Sequence, residues 1–204
     1  MSTYENILRI TDTLIQQRGF LGFSYADLEK EIGIRKASIH HHFPRKTDLG
    51  IAYCQYKTEV FDRLNITLHN VSSGVQRLRT YLDAFAGCAE RGEMCGIYAM
   101  LSDSHQFSPE LQEAVSQLAH QEIQMIKDII TSGQNSGEFK TVLLPDELAV
   151  IVCSTLKGAL MLNRLPPHDI YSGTVNALGN DSNLLIVFYV QIMPDDFVMQ
   201  LHRF

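Results

Sequence analysis

Three adjacent histidines, His40, His41 and His42, lie between the basic pairs Arg35, Lys36 and Arg45, Lys46 in the stretch GIRKASIHHHFPRKTDL (33–49). Imidazoles are common metal ligands and general bases. Chelation on one helix needs ligands three or four residues apart, as in H-E-x-x-H. Neighbours on a helix point about 100° apart, so three consecutive rings aim in three directions. They form a poor metal site, and no metal is expected. The remaining possibilities are a solvated run and a surface for something large and anionic. A basic, hydroxyl-bearing and imidazole-bearing segment has the reach for phosphates and base edges.

The second candidate for chemistry is Cys95, in GEMCGIYAMLSD (92–103). It stands where a helix is expected to start, and the orphan N–H groups of a helix N-terminus favour a thiolate. Cys88, seven residues earlier, is placed to resolve an oxidised Cys95 if the loop allows it. The alternative is a buried, inert thiol, the commonest fate of a free cysteine. The other cysteines are Cys54 and Cys153, no two form a C-x-x-C pair, and the N-terminus MSTYENILRITDTLIQQRG is no signal peptide. Reduced thiols in a cytoplasmic protein are therefore expected. There is no G-x-G-x-x-G, P-loop, H-E-x-x-H or G-x-S-x-G motif. No enzyme, catalytic residue or cofactor is expected.

The elements that must position these residues read as helices. Ile7, Ile10 and Leu14 recur at helical spacing, and Gly19 is placed to end that helix. Ser24 followed by Asp27 resembles a capping box, with Asp for the usual Glu or Gln. Leu28 and Ile32 give the second helix an apolar side, and Gly33 supplies a tight stop. A third short helix is expected from about Arg35 to Phe43, with Ile39 and Phe43 inward, ended by Pro44. Two short helices joined by a glycine turn make a helix-turn-helix, whose second helix enters the major groove. Lys46 opens the next helix, where its charge and the helix N-terminus both suit a phosphate.

Beyond Asn70 the pattern stays helical. Val75, Leu78, Leu82 and Phe85 share a face, and Ser108 with Pro109 marks an N-terminus. The segment after Pro145, LPDELAVIVCSTLKGALMLNRL, is apolar nearly all round, as a helix buried on several sides or against a second subunit would be. After Pro167 the chain is rich in turn residues, and SNLLIVFYVQIM fits helix or strand by periodicity, with helix favoured in an all-α chain.

The 204 residues suffice for one or two domains, and no stretch reaches the ~18 apolar residues of a membrane span. The net charge is −6, but residues 1–57 carry 8 Lys and Arg against 6 Asp and Glu. A mildly basic head on an acidic body fits anion binding at one end.

FSYADLEKEIGIRKASIHHHFPRKTDL (23–49) resembles the DNA-binding signature of TetR-family transcriptional regulators, T-x-x-x-I-A-x-x-x-G-V-S-x-G-T-L-Y-x-x-F-x-x-K-x-x-L. Ser24 stands at the Thr, Gly33 at the Gly, Ile34 at the Val and Ala37 at the second Gly. Ser38, Ile39, Phe43, Lys46 and Leu49 match in type. Arg35 replaces a Ser, His40 a Tyr, and Glu29 a small residue. The resemblance implies an all-α protein: a three-helix helix-turn-helix head over 1–64 and a larger helical effector-binding and dimerisation domain over 65–204. It implies DNA contacts from Ser24, Tyr25, Lys36, Ser38, His40, His41, His42 and Lys46. Arg35 joins them on charge and position. It also implies a homodimeric repressor on a pseudo-palindromic double-stranded operator, released by a small-molecule effector. Candidate effector residues are Phe85, Met94, Cys95, Tyr98, Met100, Leu101, Phe107 and Met125. Some family members that respond to electrophiles carry a reactive cysteine in a similar stretch, which leaves a Cys95 thiol sensor open beside the simple effector reading. A helical adaptor that no longer binds DNA is the remaining alternative.

Overall fold

The computed structural model describes residues 2–141 and 143–179. Every regular element among them is helical. The first helix, α1 (Thr3–Arg18), starts at a full capping box: the Glu5 carboxylate accepts from the Ser2 N–H at 2.7 Å, and the Ser2 hydroxyl accepts from the Glu5 N–H. It ends at Gly19, whose φ of 78° is a conformation that side chains disfavour. The expected apolar face is the buried one, with Ile7, Leu14 and Ile15 in the interior.

Helices α2 (Tyr25–Ile32) and α3 (Lys36–His42) follow, joined through Gly33 in the left-handed region. The Asp27 carboxylate takes both the Ser24 N–H and the Ser24 O–H, so Asp substitutes for Glu at the start of α2. Leu28, Ile39, Phe43 and Leu49 close the head around α1. Helix α4 (Lys46–His69) runs on without a break from the head into the body. The expected boundary at residue 64 therefore lies inside one helix.

The body comprises α5 (Gly74–Asp83), the short α6 (Ala86–Glu90), α7 (Gly96–Asp103) with a 3₁₀ turn after it, α8 (Pro109–Asn135), α9 (Pro145–Leu162) and α10 (Ile170–Gly179). Its centre is α8, which packs against α4, α5, α7 and α9. Leu111, Val115, Leu118, Met125, Ile126 and Ile129 form its buried stripe. Glu122 interrupts that stripe. Its carboxylate accepts from the Lys157 ammonium at 2.5 Å and the Tyr81 hydroxyl at 2.8 Å, joining α8, α9 and α5. Lys157 also lies 4.5 Å above the Phe85 ring.

Two features differ from the periodicity. Phe85 does not continue α5; it caps the start of α6 after a turn at Ala84. The turn-rich segment after Pro167 contains α10. Asn163, buried to 1% exposure, holds it there, donating to the Ala89 carbonyl and accepting from the Tyr171 N–H. Tertiary hydrogen bonds override weak local preference in this segment. The stretch SNLLIVFYVQIM, expected to be helical, lies outside the described residues.

Candidate nucleic-acid interface

The head presents α3 outward. Arg35 is its N-cap and Lys36 its first residue, both exposed. Ile39 and Phe43 turn inward; Arg35 and Lys36 are exposed where they open the helix, His41 is exposed on the side opposite Ile39, and Ser38 is half-buried between them. Ser24, at the start of α2, is exposed beside it. Ser24, Lys36 and His40 share a shallow groove of about 410 Å³ with Tyr25, Pro44 and Lys46.

The three histidines have three different surroundings. His40 packs edge-on to Tyr25 with centroids 4.7 Å apart, His41 is exposed, and His42 meets Tyr4 at 6.1 Å. His41 and His42 also meet edge to face at 5.6 Å, while His40 turns away to Tyr25. Among the described residues no group of three or more His, Cys, Asp or Glu side chains could hold a metal ion.

Two of the expected contacts face inward. The Tyr25 hydroxyl is shared between the Phe43 carbonyl at 2.8 Å and the Arg45 carbonyl at 2.9 Å. Burial pushes its pKa up to about 12. Tyr25 thus brackets the end of α3 to the start of α4. Lys46 donates to the Phe23 carbonyl, with its ammonium 4.4 Å from the Phe23 ring and 4.9 Å from the Phe20 ring. Burial lowers its pKa, against Asp103 and Asp27, which raise it. Its charge secures the loop between α1 and α2.

Arg45 was missed in the sequence. It is exposed at the N-cap of α4, and Asp48 holds its guanidinium at 2.6 Å. Its sequence signal is the PRK triplet, where it forms a basic pair with Lys46. Tyr4 was missed too; it packs on Phe43 at 5.2 Å.

A helix-turn-helix with an outward polar edge on its second helix matches the profile described as "Bacterial regulatory proteins, tetR family" over residues 7–53. The profile "Tetracyclin repressor-like, C-terminal domain" matches 74–175, half of the chain. The chain belongs to the TetR family. This TetR-family chain is 24% identical over 147 residues to the HTH-type transcriptional repressor DhaR of Mycobacterium sp. (strain GP1), covering 71% of this chain and 74% of that one. A TetR transcriptional regulator from Legionella pneumophila superposes with a TM-score of 0.76 at 26% identity, covering 86% of this chain and 94% of that one. A TetR-family regulator from Agrobacterium tumefaciens gives 0.78 at 26% identity, covering 85% and 93%. The protein is a TetR-family transcriptional regulator. No helix among the described residues is long and apolar enough to cross a membrane.

The expected effector residues do not converge on one place. Phe85 and Cys95 line a cavity between head and body. Met100 is a fully buried core residue, and Met94 and Met125 are nearly so. Leu101 is exposed on an open groove beside His105 and His120. Phe107 packs edge-on against Phe20 of the head at 5.3 Å. Tyr98 is half-buried against the core and lines none of these spaces. Helical spacing placed all eight in the body but could not separate core from cavity wall.

Proposed function

We propose that this TetR-family regulator is a cytoplasmic homodimeric repressor that binds a pseudo-palindromic operator and leaves it when a small molecule binds the body. The observation that carries the DNA reading is the outward edge of α3, where Arg35, Lys36 and His41 are exposed with Ser38 half-buried beside them. Ser24 adds a phosphate contact at the α2 N-terminus. His40 and His42 flank the edge, while Tyr25 and Lys46 hold it in place. Repression is carried over from the name of the DhaR relative. Dimerisation is supported by the apolar residues that α9 and its flanks leave exposed: Val150 at 50%, Leu162 at 53% and Leu165 at 63%. A two-fold dimer presents two α3 helices to two half-sites.

The test is a fluorescence-anisotropy titration of the full chain on the DNA upstream of its own gene, at two salt concentrations. Tight binding that weakens steeply with salt and beats random DNA is expected. No binding to either DNA at low salt refutes the reading in favour of an adaptor, and equal affinity for random DNA refutes sequence-specific recognition of that site.

A second reading adds a thiol. Cys95 is the N-cap of α7 and lines the cavity between head and body, and Cys88 lines the same cavity. Burial pushes the Cys88 thiol up to about 11, and Cys95 is the thiol that stands at a helix N-terminus. Under this reading Cys95→Ser keeps DNA binding and loses release by a mild electrophile. Release that persists in the variant removes the thiol from the mechanism.

A further inference from the structure

Helix α7 stands between head and body like a strut. At its N-terminus the backbone touches the head: a Cβ on Gly96 would lie 2.0 Å from the Tyr53 hydroxyl and 3.3 Å from the Asp12 carboxylate. At its C-terminus Asp103 accepts from the Leu21 N–H at 3.0 Å, and Phe107 follows against Phe20. Eight residues at 1.5 Å each separate the two ends by roughly 12 Å.

Beside the N-terminus of α7 lies a cavity of about 230 Å³ between α1, α4, the α5–α6 turn and α7. Val60, Phe61, Leu64, Phe85 and Ile97 make most of its wall apolar. Asp12 reaches it already satisfied, accepting from Tyr53 at 2.9 Å and Lys57 at 3.3 Å. Gln16 is only 9% exposed and lines the cavity; its backbone carbonyl accepts from the Met94 N–H, and its carboxamide, with no protein partner among the described residues, is open to the cavity space. A buried carboxamide carries two donors and an acceptor that ordinarily find partners. The first N–H groups of α7 have no partner within the helix, and the Cys95 side chain does not cap them.

The volume decides the size of a ligand. At about 30 Å³ per water it equals seven or eight waters. Drug-sized ligands occupy about 300 Å³ or more, so a single-ring molecule is the fit. Gln16 and the first turn of α7 supply free donors, while Asp12 and Lys57 in the same wall are already paired with each other. We propose that this junction cavity is the effector site and takes a small single-ring carboxylate or carbonyl compound. The acceptor oxygen meets Gln16 and the first turn of α7, and the ring lies along Phe61 and Phe85. This deepens, and rests on, the reading of the protein as an effector-released repressor. An occupant spreads α7 from α1 and α4. The far end of α7 then moves the loop that carries Phe20 and Phe23 beneath Lys46, through Asp103 and Phe107.

The test uses the full chain with three probes of one size: benzoate, benzamide and benzylamine. Calorimetry measures binding without DNA, and anisotropy measures release from the operator. Benzoate and benzamide are expected to bind and release DNA, and benzylamine to do neither. Binding of benzoate but not benzamide assigns a carboxylate effector, and the reverse a neutral carbonyl. Val60→Trp, from a half-buried position, fills the cavity and abolishes binding; Gln16→Leu weakens it about tenfold by removing the donor. Both variants are checked by circular dichroism and operator affinity. Release that persists in Val60→Trp overturns the cavity and leaves the repressor reading standing. Binding that Val60→Trp abolishes, with no release of DNA, refutes effector release and keeps the cavity as a binding site. Failure of both oxygen-bearing probes to bind at millimolar concentration overturns the proposal.

Discussion

Replacing Lys46 by Met separates two roles that a lysine at the start of a helix can play. The Lys46 ammonium donates to the Phe23 carbonyl and lies over two aromatic rings. A hydrogen bond with a charged donor contributes about 1.5–3 kcal/mol, and each ring about 0.5–1 kcal/mol. Met returns part of that, because a half-buried ammonium has been desolvated. A net loss of about 2 kcal/mol follows. For a chain of this size, that lowers the melting temperature by about 4–8 °C. The same variant removes a half-buried charge that lines the groove beside Lys36 and His40 but is already engaged by the Phe23 carbonyl. The slope of log K against log salt is about −0.9 per neutralised phosphate, so Lys46→Met leaves it unchanged. Lys36→Ala does the reverse. Lys36 is exposed on the outer edge of α3, so its loss changes stability by less than about 0.5 kcal/mol. With two copies in a dimer, it makes the slope shallower by about 1.8. Melting curves by circular dichroism and anisotropy across a salt series measure both. If Lys46→Met melts with the wild type and flattens the salt slope as Lys36→Ala does, the ammonium is a phosphate contact and the argument from its burial fails.

Glu122→Leu or Lys157→Met alone leaves one buried charge unpaired and is expected to cost about 3–5 kcal/mol in urea unfolding. The double variant recovers most of this, short of about 1–3 kcal/mol for the stranded Tyr81 hydroxyl; equal losses in single and double variants contradict the pairing. Gly96→Ala drives a methyl into the Tyr53 hydroxyl, which costs about 1–3 kcal/mol and lowers operator affinity without any ligand. Wild-type affinity in that variant removes α7 from the coupling between body and head. Glu138 accepts from Ser73, Gly74, Val75 and Ser136, chiefly Ser73, and these bonds hold its carboxyl down at about 2. Its folded pKa lies below the ordinary 4.5, so its contribution is complete above pH 4.5 and is lost as pH falls toward 2. Glu138→Gln therefore flattens stability against pH across that window; an unchanged acid profile removes Glu138 from acid sensitivity.

The head was legible because its signals are local. Gly19 and Gly33 end helices by the conformations they alone adopt easily, and Ser24 with Asp27 opens α2 within four residues. The spacing of Ile39 and Phe43 fixed which side of α3 faces the core, and the position of Arg35 and Lys36 at the very start of the helix left both exposed. The long buried stripe of α8 and the apolar character of α9 were visible for the same reason: periodicity reports one helix at a time.

What the sequence alone determined is the run of helices through the head and along α8 and α9, the helix-turn-helix and the outward edge of α3. Each follows from residues within a turn or two of one another. The tertiary structure decided the rest. The carbonyl beside Lys46 comes from residue 23, and the carbonyls beside Tyr25 come from residues 43 and 45. Glu122 finds its cation 35 residues away. Met100 went to the core, Leu101 to the surface, and Phe85 and Cys95 to one cavity wall. A polar or apolar side chain takes its role from what faces it, and what faces it is set by how separate helices cross.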